Sequence, residues 1–365
     1  MKVRVPKIVE DTQALNPDYP APIQQALDEL RVNIANDAPI PMLSLPAPDY
    51  DEWAAHYRPH AGETWLNSEW FFAEVYFYRL LIQAVRWWET GRDPFARKKD
   101  EELASDALWR FLDLALSIEE DDKLPALLQF SLWGNRIDLS YAASLAHGNT
   151  WQVDDLIADD LVVAVDHLKK QRGPVHVIAD NAGTELAADM ALVDELLRDT
   201  SRQVFFHVKM HPTFVSDSTV PDILTFFRLA HSRGGKAAAL AERLNTAMID
   251  GRLRLAPDLF WNSSQWLWQL PPRLARLFEE AALVISKGDL NYRRTIGDAL
   301  WSPETPFASA VGYFPAPLLA LRTLKSDPVV GLREGLAAQL DAVDEDWRVN
   351  GKRGVIQFAD NRPRG

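Results

Sequence analysis

From residue 173 onward the chain alternates short apolar runs, rich in β-branched residues, with longer amphipathic ones. VHVIAD (175–180) precedes ELAADMALVDELLRD, QVFFHVKM (203–210) precedes PDILTFFRLAHS, RLRLA (252–256) precedes PPRLARLFEEA, LVISKG (283–288) precedes NYRRTIGDAL, and VIQFAD (355–360) comes near the end. Strands separated by helix-length segments are not hairpins; they pair in parallel through right-handed crossovers. The fold class this predicts is α/β, a doubly wound, mostly parallel sheet flanked by helices in an α/β/α arrangement.

The first half has a different period. SEWFFAEVYFYRLLIQAVRWWET (68–90), capped by Asn67 or Ser68, DEELASDALWRFLDLALSIEE, KLPALLQFSLW and WQVDDLIADDLVVAVDHLKKQ (151–171) all read as helices. Before them, NPDYPAP and DAPIPMLSLPAPDY are proline-rich, with one helical run, PIQQALDELRVNIAN. The expected organisation is an irregular N-terminal arm over 1–60, an all-helical sub-domain over 61–172, and an α/β domain over 173–365.

A chain of 365 residues, 47% apolar and 25% charged, can bury substantial cores without staples. It has no cysteine, which excludes disulfides, zinc–thiolate centres and thiol nucleophiles. A metal must therefore take oxygen or histidine ligands. The formal charge of −13 argues against nucleic acid as a partner. No apolar segment reads as a leader or a membrane span, so a cytoplasmic protein with no membrane partner is expected. The 13 tryptophans read as packing residues, with a carbohydrate-stacking platform as the minor alternative.

In an open parallel sheet, ligands bind beyond the carboxyl ends of the strands. The segments there are Asp180 and Asn181 after VHVIA; His211, Ser216 and Asp217 after QVFFHVKM; and Lys287, Asp289, Asn291, Tyr292 and Arg293 after LVIS. Asp180, Asn181 and Asp217 are hard oxygen donors suited to Mg²⁺ or Mn²⁺. Lys287 and Arg293, with Arg322 and Lys325 further on, are cations suited to phosphate, and a helix opening near Asn291 adds free amides. A cation site facing basic groups is what phosphoryl transfer needs. Each piece alone has a plainer reading: the Asp-Asn pair as a helix cap or Asx turn, Asp217 as the cap of the next helix, Lys287-Gly288 as a turn. His176, His207 and His211 read as structural. Asn135, Arg136 and Asp138 form either a capping loop or a segment closing over substrate, and Glu74 reads as a buried partner for Arg79 or Arg86. There is no P-loop, no G-x-G-x-x-G and no G-x-S-x-G.

The set DNAGTE (180–185), VKMHPTFVSD (208–217), KGDLNYRR (287–294) and RTLK (322–325) resembles the metal-dependent damage-control phosphatase family, formerly a domain of unknown function. RTLK, with WFFAEVYFYR and WGNRIDLS, looks like the branch that includes acidic-residue methyltransferase-like proteins. The resemblance implies a divalent cation, Mn²⁺ foremost with Co²⁺, Ni²⁺ or Mg²⁺ as alternatives, held by Asp180, Asn181 and Asp217. It further implies that Glu185 lines the site, that the KGDLNYR loop and Lys325 grip the substrate, and that the substrate is a small phosphoester such as fructose 1-phosphate or fructose 6-phosphate. Two other functions stay open: methyl transfer from S-adenosylmethionine to protein glutamates, against which the single glycine after VHVIADNA argues, and a non-catalytic interaction module. Spacing leaves open whether Asp180, Asp217 or a water attacks the phosphorus.

Overall fold

The computed structural model describes residues 1–119, 123–134 and 155–361. Seven strands form one sheet: β1 (Leu156–Asp159), β2 (Val175–Ile178), β3 (Val204–Lys209), β4 (Leu253–Asp258), β5 (Leu283–Lys287), β6 (Leu318–Thr323) and β7 (Gly354–Ala359). Their spatial order is β1-β7-β6-β5-β2-β3-β4. β2 pairs in parallel with β3 and β5, and β5 with β6, whereas β7 is antiparallel to β6 and parallel to β1. The fold is thus α/β with a mostly parallel, mixed sheet. Every residue of β2 and β5 is buried, as expected of central strands covered on both faces. Val175, Val177, Leu283, Ile285, Leu319 and Leu321 belong to one core with Leu186, Met190 and Val193 of the helix Thr184–Leu196.

The chain forms two compact units. One comprises Met1–Glu102, Lys209–Thr219 and Pro257–Ser264; the other comprises Leu103–Val208, Val220–Ala256 and Gln265–Gly365. This division differs from boundaries at 60 and 172, which follow the change of secondary structure rather than the packing that gathers distant segments.

Four local expectations are corrected. The arm over 1–60 holds more helix than the one run expected: Arg4–Leu15 and Tyr50–Tyr57 join Ala21–Ala35. The expected run starts at its prolines, Pro20 capping and Pro22 sitting in the first turn, where no amide hydrogen is needed. LIAD, expected inside a helix beginning at Trp151, is strand β1, which pairs with the distant β7. β6 matches no predicted strand, since LLALRT is dominated by leucine and alanine, which favour helices in isolation. The helix expected to run to Gly91 also stops earlier, at Ala84, and restarts at Trp87 after Arg86 takes a left-handed conformation at φ 54°.

In the first unit the helix Trp70–Ala84 is apolar on all sides and almost wholly buried. Its Arg79 donates from Nε and Nη2 to Asp49 Oδ2 and Oδ1 at 2.6 and 2.8 Å, a buried fork-to-fork pair. Glu74, expected to partner Arg79 or Arg86, instead accepts from Arg4 at 3.0 Å. Asp49→Ala strands a buried guanidinium and is expected to lower unfolding free energy by about 3–5 kcal/mol. Urea titration measures this, and a loss below about 1 kcal/mol would mean the pair is dispensable. Among the described residues no helix is long and apolar enough to cross a membrane.

Candidate metal and phosphate site

β2 leads to β3 on one side, while β5, its neighbour on the other, leads away to β6, so the chain diverges between β2 and β5. A crevice beyond the carboxyl ends at such a divergence is where open α/β sheets bind ligands. Asp180 and Asn181 follow β2 there, and Gly183, at φ 75° and ψ −133°, turns the chain into the helix Thr184–Leu196. That backbone conformation is accessible essentially to glycine alone. Asn181 Nδ2 donates to Asp180 Oδ2 at 3.0 Å and to Glu185 Oε2 at 3.2 Å, so an acid, an amide and a second acid meet at one point.

Lys287 ends β5 and Gly288 opens the helix Gly288–Ile296, three residues earlier than expected. Gly288 has φ +86°, and a Cβ there would lie 2.0 Å from Asp180 Oδ2. The β5 loop and the Asp180 carboxylate therefore press on each other directly. Asp180, Glu185, Lys287, Gly288, Asp289, Thr323 and Lys325 line one pocket with Ser131 and Leu132. Asp289 Oδ1 accepts from Lys325 N at 3.0 Å and from Arg322 Nε at 2.8 Å. Burial alone would raise its carboxyl, but the Arg322 guanidinium and the Lys325 amide hold it below the usual carboxylate range.

Not every expected residue reaches this pocket. Arg322 is fully buried, spends its guanidinium on Asp289, Ser326 and the Pro328 carbonyl, and lies 4.3 Å over the Tyr292 ring. Tyr292 in turn donates to Gln357 Oε1 at 2.9 Å. Arg293 is paired with Asp298 at 2.7 Å. Asn291 donates to the carbonyls of Ala179 and Lys287, tying the two loops together. The structure gives these four internal partners, and none of them is among the residues that line the pocket. Asn135, Arg136 and Asp138 lie outside the described residues.

Asp217 belongs to the first unit. Its Oδ2 lies 3.4 Å from Lys209 Nζ, and its carbonyl accepts from Lys99 Nζ at 3.1 Å. Phe214 and Val215 just before it both have positive φ, 47° and 69°, an uncommon state for a β-branched residue and a mark of sites where geometry is imposed. Lys209 also donates to the Trp261 carbonyl at 2.7 Å.

The sequence reading missed Asp189 and Ser131. Asp189, one helical turn past Glu185, accepts from Lys287 Nζ at 2.5 Å and from Ser131 Oγ at 2.7 Å. Burial pushes its carboxyl above the usual range, against the pull of the Lys287 ammonium. The available signal was the i, i+4 spacing of Glu185 and Asp189 within the largely apolar first turns of that helix.

Among the described residues no three His, Cys, Asp or Glu side chains gather to hold a metal. The donors at the β2 terminus are instead two carboxylates and an amide, a hard-oxygen set that fits Mg²⁺ or Mn²⁺ with water completing the shell. A larger open groove lined by Lys123, Arg198, Lys236, Arg243 and Arg252 contains none of these donors, and Arg243 there is already paired with Asp194.

The family model described as damage-control phosphatase ARMT1-like domain matches residues 3–340. The chain is 31% identical over 376 residues to damage-control phosphatase ARMT1 of Rattus norvegicus, covering 91% of this chain and 85% of the relative. It is 30% identical to the Danio rerio protein of that name over 377 residues, covering 91% and 84%. The crystal structure of a DUF89 family protein from Pyrococcus horikoshii shares the fold, with a TM-score of 0.50 over 99% of both chains at 14% identity.

Proposed function

The chain belongs to the damage-control phosphatase ARMT1-like family, and from that premise we propose that it hydrolyses small phosphometabolites with the help of a divalent metal. The observation that carries this reading is the single pocket in which Asp180 and Glu185 face Lys287 and Lys325. Phosphoryl transfer asks a protein chiefly to position the group and to neutralise its charge. Asp180 and Asn181, side by side at the end of β2, are the proposed ligands. The metal, Mn²⁺ by preference, would supply charge to a phosphoryl oxygen.

The rest is done by side chains. Lys287 and Lys325 bind phosphoryl oxygens as point charges. Glu185 accepts from the Asn181 amide and so fixes which end of it faces the site. Asp289, by accepting from the Lys325 amide, holds the β6 loop against the helix Gly288–Ile296. We place the substrate among sugar phosphates such as fructose 1-phosphate and fructose 6-phosphate, and the protein in the cytosol. The net charge of −13 supports a small substrate held by local lysines over a nucleic-acid partner.

The test is a phosphometabolite panel run with Mn²⁺, Co²⁺, Ni²⁺ and Mg²⁺. Asp180→Ala is expected to lower metal-stimulated turnover at least about 100-fold with little change in melting temperature. Turnover equal to the parent's would overturn that assignment.

A further inference from the structure

We propose that Asp189 is a positioning residue of this pocket, whose carboxylate, steadied by Ser131, clamps the Lys287 ammonium in place for a phosphoryl oxygen. The inference rests on the phosphatase reading above. Lys287 and Asp189 are 2% and 1% exposed, and their contact of 2.5 Å joins the end of β5 to the middle of the helix Thr184–Leu196. Lys287 lines the pocket, whereas Asp189 stands behind it.

The arrangement solves a specific problem. An ammonium on a flexible four-carbon stem, set in a pocket with Asp180 and Glu185, is drawn toward those carboxylates, which are wanted for a cation of higher charge. Asp189 counters that outcome by giving Lys287 a partner of its own, one helical turn beyond Glu185. The Ser131 hydroxyl donates to the same oxygen, Oδ1, at 2.7 Å, which fixes the carboxylate rotamer. Oδ2 has no hydrogen-bond partner among the described residues, so the clamp is one-sided, with both contacts falling on Oδ1. Asp189 and Glu185 are one turn apart on one helix face, so the helix presents one acid to the pocket and the other to the lysine.

The test is a double-mutant cycle on the full chain with Mn²⁺ and p-nitrophenyl phosphate, alongside calorimetric binding of inorganic phosphate. Asp189→Asn is expected to lower kcat/KM about ten-fold or more and to weaken phosphate binding, yet to cost less than about two-fold when Lys287 is already Met. Ser131→Ala, which keeps the ion pair, is expected to give a smaller loss that also disappears in the Lys287→Met background, and it serves as the readout if Asp189→Asn does not fold. Equal losses in both lysine backgrounds, or no loss in either, would overturn the clamp. A parent protein that hydrolyses no phosphoester with any metal would instead overturn the phosphatase reading, so the two failures are distinguishable.

Discussion

Gly288→Ala is expected to abolish phosphatase turnover, whereas Gly351→Ala is expected to spare it. Both glycines have positive φ, +86° and +72°, so an alanine at either place bears a similar backbone cost of about 1–2 kcal/mol. They differ in what the new methyl meets. At Gly351 no heavy atom lies within 4 Å, while at Gly288 the Asp180 carboxylate lies 2.0–2.7 Å away. The carboxylate must then leave its place beside Asn181, or the loop carrying Lys287 must retreat. Displacements of about 1 Å in a positioned group cost on the order of 100-fold in rate, and here the proposed ligand Asp180 and the loop that carries Lys287 move together. The measurement is turnover with Mn²⁺ beside a thermal melt for both variants. Comparable activity in the two would show that the contact between Gly288 and Asp180 does not hold the site together.

That contact illustrates which parts of the molecule can be read from its letters. Asp180 and Asn181 are legible because a polar pair stands where a β-branched run ends, and hydrophobic period alone places it at a sheet edge. The identity of Lys287 as a pocket cation is legible in the same way. The demand for glycine at 288 is not, since it comes from a carboxylate 108 positions earlier brought alongside by the β2–β5 pairing. Arg322 shows the converse: its charge is visible in the sequence, but its partner is Asp289, and that pairing turns an expected phosphate ligand into a buried brace. β6 and the N-terminal helices were obscured for local reasons. Leucine and alanine in β6 favour a helix until neighbouring strands override them, and the short helix Tyr50–Tyr57 buries Trp53 alone, which leaves no apolar period to read. Asp189 was hidden because an acid among apolar helix residues declares that it needs a partner without saying which.

Stability is expected to fall as pH drops from about 6.5 toward 4, and a buried histidine pair is a principal cause. His176 on β2 and His207 on β3 share a hydrogen bond of 2.9 Å between Nδ1 and Nε2, with Phe205 stacked on His176 and Phe278 edge-on to both rings. Burial lowers the His176 pKa to about 4 and holds His207 well below its ordinary value, where the charge of one ring would also oppose that of the other. Both rings are therefore neutral in the folded protein at pH 7, while the unfolded chain takes up protons near 6.5. The stability they contribute is complete above that value and is lost as pH falls; for His176 the loss ends near 4, where the folded state also binds its proton. A depression of this size corresponds to about 3 kcal/mol for His176 at the acid end of the window. Replacing both rings, as His176→Leu with His207→Leu, removes the titration and leaves no single nitrogen stranded by loss of its partner. Urea midpoints at pH 7.5, 6 and 5 are expected to decline steeply for the parent and more gently for the double variant. Parallel declines would place the acid sensitivity elsewhere, in the buried His211 ring, which burial also lowers to about 4, and in the paired carboxylate Asp289.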